Sequence, residues 1–324
     1  MRNPKNTIFA LIFAVITLSI ALIAAIVLPL LFKEKKEPPP EEAPALLVDG
    51  ELVMRYAADY NVSIEYLMLV LEDYLVYRVG GEYVFEPIDY SLPQHSYDWQ
   101  NLSADENRKY YLDENFPDVK YGIDVSTFQG DIDWTAVAAD GIDFAMIRIG
   151  YRGYGSGAAH LDDKAEQNIA GAAAAGVDVG AYFFSQAITV SEAEAEAEML
   201  LEAISGYDIS YPIVFDMEEI SGDIARADSL SVEERTNVAK AFCEKIKNAG
   251  YTPMVYGNVK WLAGRLDLWE LKEYTIWLAQ YHDRPLFPYD FHMWQYTDSG
   301  VVNGIEGPVD MNIAFKPHDA DSAE

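Results

Sequence analysis

The sequence predicts an α/β fold: an irregular (β/α) TIM-like barrel, preceded by a transmembrane helix and a small, mainly helical region. Three observations predict it. Eight short apolar runs within residues 119–318 read as strands. Three of the passages between them share one pattern of helix, glycine and strand. Ahead of all this, residues 7–32 form an apolar run without a single charged residue.

That first run, Thr7 to Phe32, is polar only at Thr7, Thr17 and Ser19. It exceeds the roughly 20 residues needed to cross a hydrocarbon core of about 30 Å. It is also longer than the apolar stretch of about 7–15 residues in a cleavable signal peptide. Arg2 and Lys5 precede it, while Lys33, Lys35 and Lys36 follow, interleaved with Glu34 and Glu37, so flanking charge leaves the orientation open. Residues 33–45, containing Glu37-Pro38-Pro39-Pro40-Glu41-Glu42-Ala43-Pro44, read as a stiff extended spacer.

Residues 46–118 read as a small accessory region. Leu52–Tyr60 and Ser63–Tyr77 have helical spacing, and Asn61-Val62-Ser63 supplies a turn and an N-cap between them. Gly80-Gly81 then leads into a hairpin strand at Tyr83-Val84-Phe85. The tyrosines here (Tyr56, Tyr60, Tyr66, Tyr74, Tyr77 and Tyr83) are expected in the core, as aromatics at helical spacing usually are.

From residue 119 the strand candidates are Tyr121–Val125, Phe144–Ile149, Val179–Phe184, Ile213–Glu218, Met254–Tyr256, Ile276–Gln280, His292–Tyr296 and Val309–Ile313. Gly141, Gly176 and Gly250 each close a helical stretch just before a strand, where a left-handed residue lets a helix stop and turn. Repeated units of this kind imply a parallel sheet covered by helices. Eight strands in about 200 residues fit closure into a barrel. The last three follow one another with little helix between, hence the irregularity.

Composition narrows the function. Acidic residues outnumber basic ones 53 to 23, a net charge of −30, which disfavours nucleic acid or anionic lipid as a surface partner and otherwise means solubility. A single cysteine, Cys243, rules out an internal disulfide and sits in the helical pattern of Asn237–Asn248, beside Phe242 and Ile246. No HExxH, CxxC pair or glycine-rich phosphate loop occurs, so no metal or cofactor is expected.

The chemistry concentrates at Asp216 and Glu218. Pro212 opens an apolar run ending in two carboxylates spaced i, i+2, and on a strand such residues share a face. Two nearby carboxyls in different environments are what glycosidic bond cleavage uses. Functional residues of parallel barrels lie at the C-terminal ends of strands. Those ends supply Asp124; Arg148 and Tyr151; Tyr182; Asp216 and Glu218. Further on they supply Tyr256, Gln280 with Tyr281, Trp294 with Gln295, and Asp310. Carboxylates and aromatics dominate, as sugar chemistry requires. Trp294 reads as a sugar platform, with barrel filling as the alternative. Asp133 is expected to cap the helix that begins at Trp134, Glu219 to face solvent opposite Glu218, and Glu192, Glu194, Glu196 and Glu198 to line a solvated helix.

The segment Asp124-Val125-Ser126-Thr127-Phe128-Gln129-Gly130-Asp131-Ile132-Asp133-Trp134 resembles the opening D-x-S-x-x-Q-G-x-I-D-W of glycoside hydrolase family 25, the N-acetylmuramidase lysozymes. The resemblance continues in order through residues 144–151, 180–185 and 216–218, then Trp294-Gln295-Tyr296 and Val309-Asp310-Met311-Asn312. Phe183 departs from it, the family often having histidine there.

The resemblance implies an enzyme that cleaves the β-1,4 bond between N-acetylmuramic acid and N-acetylglucosamine in peptidoglycan glycan strands. It makes Glu218 the general acid and leaves Asp216 either to activate water or to steady the substrate's acetamido group. Asp124 and Asp310 would bind substrate and set the local field. Tyr182, with Tyr151, Tyr256, Gln280, Trp294 and Gln295, would contact the sugar. It also suggests a single-pass membrane protein anchored through residues 7–32, its catalytic domain extracellular, where a wall polymer is met, and released if the anchor is cleaved. Two alternatives stand beside it. A family 18 chitinase-like glycosidase would need acids where Tyr211 and Val214 stand, and a non-catalytic wall-binding protein would be expected to have lost a carboxylate.

Overall fold

A computed structural model describes Tyr56 and residues 62–71, 73–220 and 222–316. The expected transmembrane helix at 7–32, the spacer at 33–45 and, apart from Tyr56, the expected helix Leu52–Tyr60 lie outside the described residues. Among the described residues no helix is long and apolar enough to cross a membrane.

Ser63 caps a first helix, α1 (Ile64–Val70), by accepting the Tyr66 N–H. The helix expected to run on to Tyr77 stops there. β-branched and aromatic residues instead form β1 (Tyr74–Val79), which pairs antiparallel with β2 (Glu82–Pro87) around Gly80-Gly81. Both glycines adopt positive φ, as a two-residue hairpin turn demands. A second hairpin follows, β3 (Leu102–Ala104) against β4 (Lys109–Tyr111). The described part of the region expected to be mainly helical holds α1, helical Tyr56, a 3-10 turn at Trp99–Asn101 and two hairpins, and over Tyr74–Tyr77 strand pairing overrode the helical spacing.

The eight expected strands all form. They are β5 (Lys120–Val125), β6 (Phe144–Arg152), β8 (Asp178–Phe184), β9 (Ile213–Asp216), β10 (Pro253–Asn258), β11 (Thr275–Ala279), β12 (Met293–Gly300) and β13 (Val309–Ala314). They close into a ring through the parallel β5–β6 pairing, while β7 (Ala159–Leu161) adds to the far edge of β6. From β5 round to β12 the neighbouring pairs are parallel; β13 runs antiparallel to both β12 and β5. The strands are apolar on both faces because both faces are buried. Inward residues such as Phe144, Met146, Val214, Met254, Trp277 and Met293 fill the barrel. Outward ones such as Ile147, Phe183, Ile213 and Phe215 pack in the surrounding layer.

Helices α2 (Trp134–Ala139), α3 (Ala165–Ala175), α4 (Val190–Ala203), α5 (Val232–Asn248), α6 (Val259–Arg265) and α7 (Leu268–Leu271) follow the early strands. Asp133 caps α2 as expected, accepting the N–H groups of Thr135 and Ala136. Gly176, in the left-handed conformation at the end of α3, lets the chain turn into β8.

No helix follows β12 or β13 among the described residues. Residues 88–118 cover that flank instead. Tyr97 stacks on Phe315 at 4.2 Å, and its hydroxyl donates to the Phe291 carbonyl. Trp99 meets Trp294 edge-on, and Tyr111 does the same to Phe315. The Asp89 N–H donates to the Tyr289 hydroxyl, and Arg108 grips both the carbonyl and the carboxylate of Asp140.

Candidate active site

Four carboxyls converge at one end of the barrel. Asp124 ends β5, and Asp310 faces it across the sheet as its direct partner in register. Because β13 runs antiparallel, Asp310 reaches this end from the start of its strand, whereas the other acids arrive from strand ends. Asp216 ends β9, level with Phe184 on one side and Tyr256 on the other. Glu218 lies two residues beyond the strand that was expected to contain it. The in-and-out alternation nevertheless persists: Met217 is fully buried in the outer layer, and Glu219 turns out to pair with Lys260.

Burial and mutual repulsion govern these acids. For Asp124, burial and then the Asp310 charge push the carboxyl well above the usual carboxylate range, against the hydrogen bonds it accepts from Asn312 and Gln295. Asp216 is also raised well above that range, by burial and then by Glu218 and Asp124, with Arg148 pulling the other way. Its Oδ1 has no hydrogen-bond partner among the described residues. Glu218, partly buried, is pushed up to about 7 by burial and then by Asp310. Asp310 rises to about 6, first through burial and then through Asp298. Like charges crowded into one poorly hydrated mouth cannot all ionise at neutral pH, so the set retains protons.

A polar framework orients Asp124. Gln295 Nε2 donates to Asp124 Oδ2 at 2.9 Å, and Asn312 Nδ2 donates to the same oxygen at 2.8 Å. Gln295 Oε1 in turn accepts the hydroxyls of Tyr256 and Tyr281, at 2.9 and 2.7 Å. Asn312 Oδ1 accepts the indole N–H of Trp277 at 2.8 Å. Each amide therefore has donors on its oxygen and an acceptor on its nitrogen, which fixes its orientation.

Tyr182 lies inside the barrel, edge-on to Trp277. Arg148 is paired with Asp162, and its guanidinium lies over the rings of Phe128 (5.0 Å) and Tyr151 (5.3 Å). Phe128 is 82% exposed and Tyr281 49% exposed, so the site presents open aromatic surface. Aromatic faces of this kind stack on sugar rings.

Two expected site residues are not brought to the carboxylates. Trp294 points outward and is fully buried, its indole N–H donating to the Gln280 carbonyl, so it fills the outer layer and has no open face for sugar. Gln280 commits its side-chain oxygen to the Leu286 N–H and so holds the loop after β11. Phe183 also points outward into the buried outer layer, so the residue that departs from the family pattern is away from the mouth. Asn312 and Trp277 belong to the polar framework around Asp124 as well, although neither was expected as a site residue. Asn312 carried a usable signal, since it stands two residues after Asp310 and therefore on the same face of β13.

Comparison with known proteins agrees with this geometry. A profile of the glycosyl hydrolases family 25 matches residues 123–305, more than half of the chain. The chain is 27% identical over 192 residues to the autolytic lysozyme of Clostridium acetobutylicum, covering 59% of this chain and 54% of that protein. It is 26% identical over 200 residues to lysozyme M1 of Streptomyces globisporus, covering 59% of this chain and 66% of that one. The chain thus spans about half the length of the first of these relatives and two thirds of the second. Its fold resembles that of the modular autolysin LytC of Streptococcus pneumoniae, with a TM-score of 0.56, 24% identity, and coverage of 74% of this chain and 56% of that one. It also resembles the spore cortex lytic enzyme SleM of Clostridium perfringens, with a TM-score of 0.53, 23% identity, and coverage of 63% and 69%.

Proposed function

Because the chain belongs to glycosyl hydrolases family 25, we propose that it is a peptidoglycan hydrolase. It cleaves the β-1,4 bond between N-acetylmuramic acid and N-acetylglucosamine. The observation that carries this reading is Glu218, partly open to the mouth and pushed up to about 7 by burial and Asp310. A carboxylic acid that keeps its proton near neutral pH can protonate the leaving glycosidic oxygen. The two relatives named as lysozymes support the same reaction.

In the proposed reaction Glu218 gives its proton to the bridging oxygen as the bond to the anomeric carbon breaks. Asp216, with one oxygen left unpaired, takes the complementary part. In its ionised form it either deprotonates the attacking water or steadies the acetamido nitrogen while the carbonyl oxygen attacks. Asp124 is held by Gln295 and Asn312, and Asp310, raised only to about 6, supplies negative potential beside the developing oxocarbenium charge. Tyr182, Tyr151 and Tyr256 line the sugar site. We place the body outside a cell membrane, anchored through residues 7–32.

Digestion of purified peptidoglycan tests the reaction directly. Mass spectrometry should find N-acetylmuramic acid at the new reducing ends, and N-acetylglucosamine there would mean a different cleavage. Glu218→Gln should lower the release of reducing ends by about a thousandfold or more, of the order expected for loss of a general acid together with its field. Near wild-type activity of a folded Glu218→Gln protein would remove Glu218 from that role.

A further inference from the structure

The segment that covers the flank of β12 and β13 also reaches the catalytic mouth. A groove of about 650 Å³ lies between the hairpin tip 104–109, the turn 281–283 and the end of β12 at 296–301. That volume is within the range of small-ligand sites. Two of its residues belong to the surroundings of the catalytic carboxylates. Tyr281 donates to the same Gln295 that holds Asp124, and Asp298 is the neighbouring charge that most raises Asp310.

The hairpin wall is firmly built. Asp105 Oδ1 closes the tip by accepting the N–H groups of Asn107 and Arg108. Arg108 anchors the tip to Asp140, and Lys109 Nζ donates to the Asp283 carbonyl, joining two walls. The tip precedes residues 123–305 and so lies outside the matched family segment.

The position and charge of the groove select its occupant. Tyr296 contributes to the lining yet packs in the outer layer, whereas Gln295 faces the carboxylates. The groove therefore lies beside the carboxylates, between the accessory hairpin and the end of β12. A branch from a glycan seated over the carboxylates can enter it there. Asp105 and Arg108 are committed to the turn and to Asp140, which leaves Glu106, Asp283 and Asp298 against Lys109 and His282. Such an acid excess suits a branch with a free amino group, and Asn107, Thr297 and Ser299 offer partners to peptide amides.

We propose that this groove binds the peptide branch carried by the lactyl group of the muramic acid, gripping its amides and its free amine. The proposal rests on the muramidase reading above. Its test compares the full chain on peptide-bearing peptidoglycan and on the same glycan stripped of peptide by an amidase. Wild type should prefer the peptide-bearing polymer by about tenfold in kcat/KM, carried by KM, as one or two charge-assisted contacts allow. Glu106→Lys and Asp283→Lys, both at exposed positions, should each cut that preference about three- to tenfold, with unchanged unfolding midpoints. Equal handling of both polymers by wild type, or full preference in both variants, overturns the proposal. A loss of equal size on both polymers assigns the groove to sugar and overturns the peptide branch. Wild type that cuts neither polymer overturns the muramidase reading itself.

Discussion

Glu218 shows how much one residue's surroundings decide. Its carboxyl has a usual value of 4.5 and rises to about 7, chiefly through burial. As a general acid it must hold its proton, so turnover should fall as pH rises through about 7, a limb that a pH–rate profile reads. The same shift affects stability. Below pH 4.5 the carboxyl is protonated in folded and unfolded chains alike. Between 4.5 and about 7 only the folded chain holds the proton, so the contribution of this group is lost as pH rises through that window. Replacing Glu218 by Gln should therefore leave stability near wild type at pH 4 and raise it by about 1–3 kcal/mol at pH 8, the partial exposure of the side chain trimming the figure. Denaturant unfolding at the two pH values checks this, and equal stabilities at pH 8 would contradict it. The spacing of Asp216 and Glu218 made their shared face legible in the sequence. Their crowding with Asp124 and Asp310 was legible too, since all four stand at expected strand ends, whereas the arrival of Asp310 from the start of an antiparallel strand was not.

Helix α4 illustrates the element scale. Its glutamates at 192, 194, 196 and 198 were expected to be solvated together, yet a helix turns about 100° per residue, so alternate positions cannot share a face. Glu194 and Glu198 are exposed, whereas Glu196 is fully buried. Glu196 takes Arg152 on one oxygen and the Ser185 hydroxyl on the other, and burial still raises it to about 7. This pair backs the turn after β8. In that turn the Ser185 N–H donates to the Asp216 carbonyl, and Gln186 donates to the Glu218 carbonyl. Glu196→Ala should cost about 3–5 kcal/mol by leaving the Arg152 charge buried with only the Gly157 and Glu192 carbonyls for partners, and Glu194→Ala no more than about 0.5. A thermal or denaturant midpoint for Glu196→Ala within error of wild type would show that Arg152 finds another partner. Helix starts were readable from the sequence because capping is local, as at Ser63 and Asp133. Which glutamate is buried depends on Arg152, 44 residues away.

At the scale of the whole molecule, residues 88–118 act where covering helices are missing. Tyr97, Trp99, Tyr111 and Phe116 pack together with Phe291 and Phe315 against β12 and β13. A chain beginning at residue 119 should expose that flank. With each buried aromatic worth about 1.5–3 kcal/mol, it should aggregate or unfold at lower temperature than a chain beginning at residue 73. Light scattering and calorimetry of the two chains decide this, and equal behaviour would make the aromatic cover dispensable. By itself the sequence determined the eight strands, their order, and the acids that meet at one end, because strand period, apolar runs and glycine stops are local properties. Only the tertiary structure decided that β13 runs antiparallel and delivers Asp310 from its start. It alone showed that Trp294 faces outward, that Asn312 and Gln295 hold Asp124, and that the accessory hairpin walls a groove beside the site. Those outcomes depend on which distant segments cover which faces when the ring closes, and no local pattern carries that information.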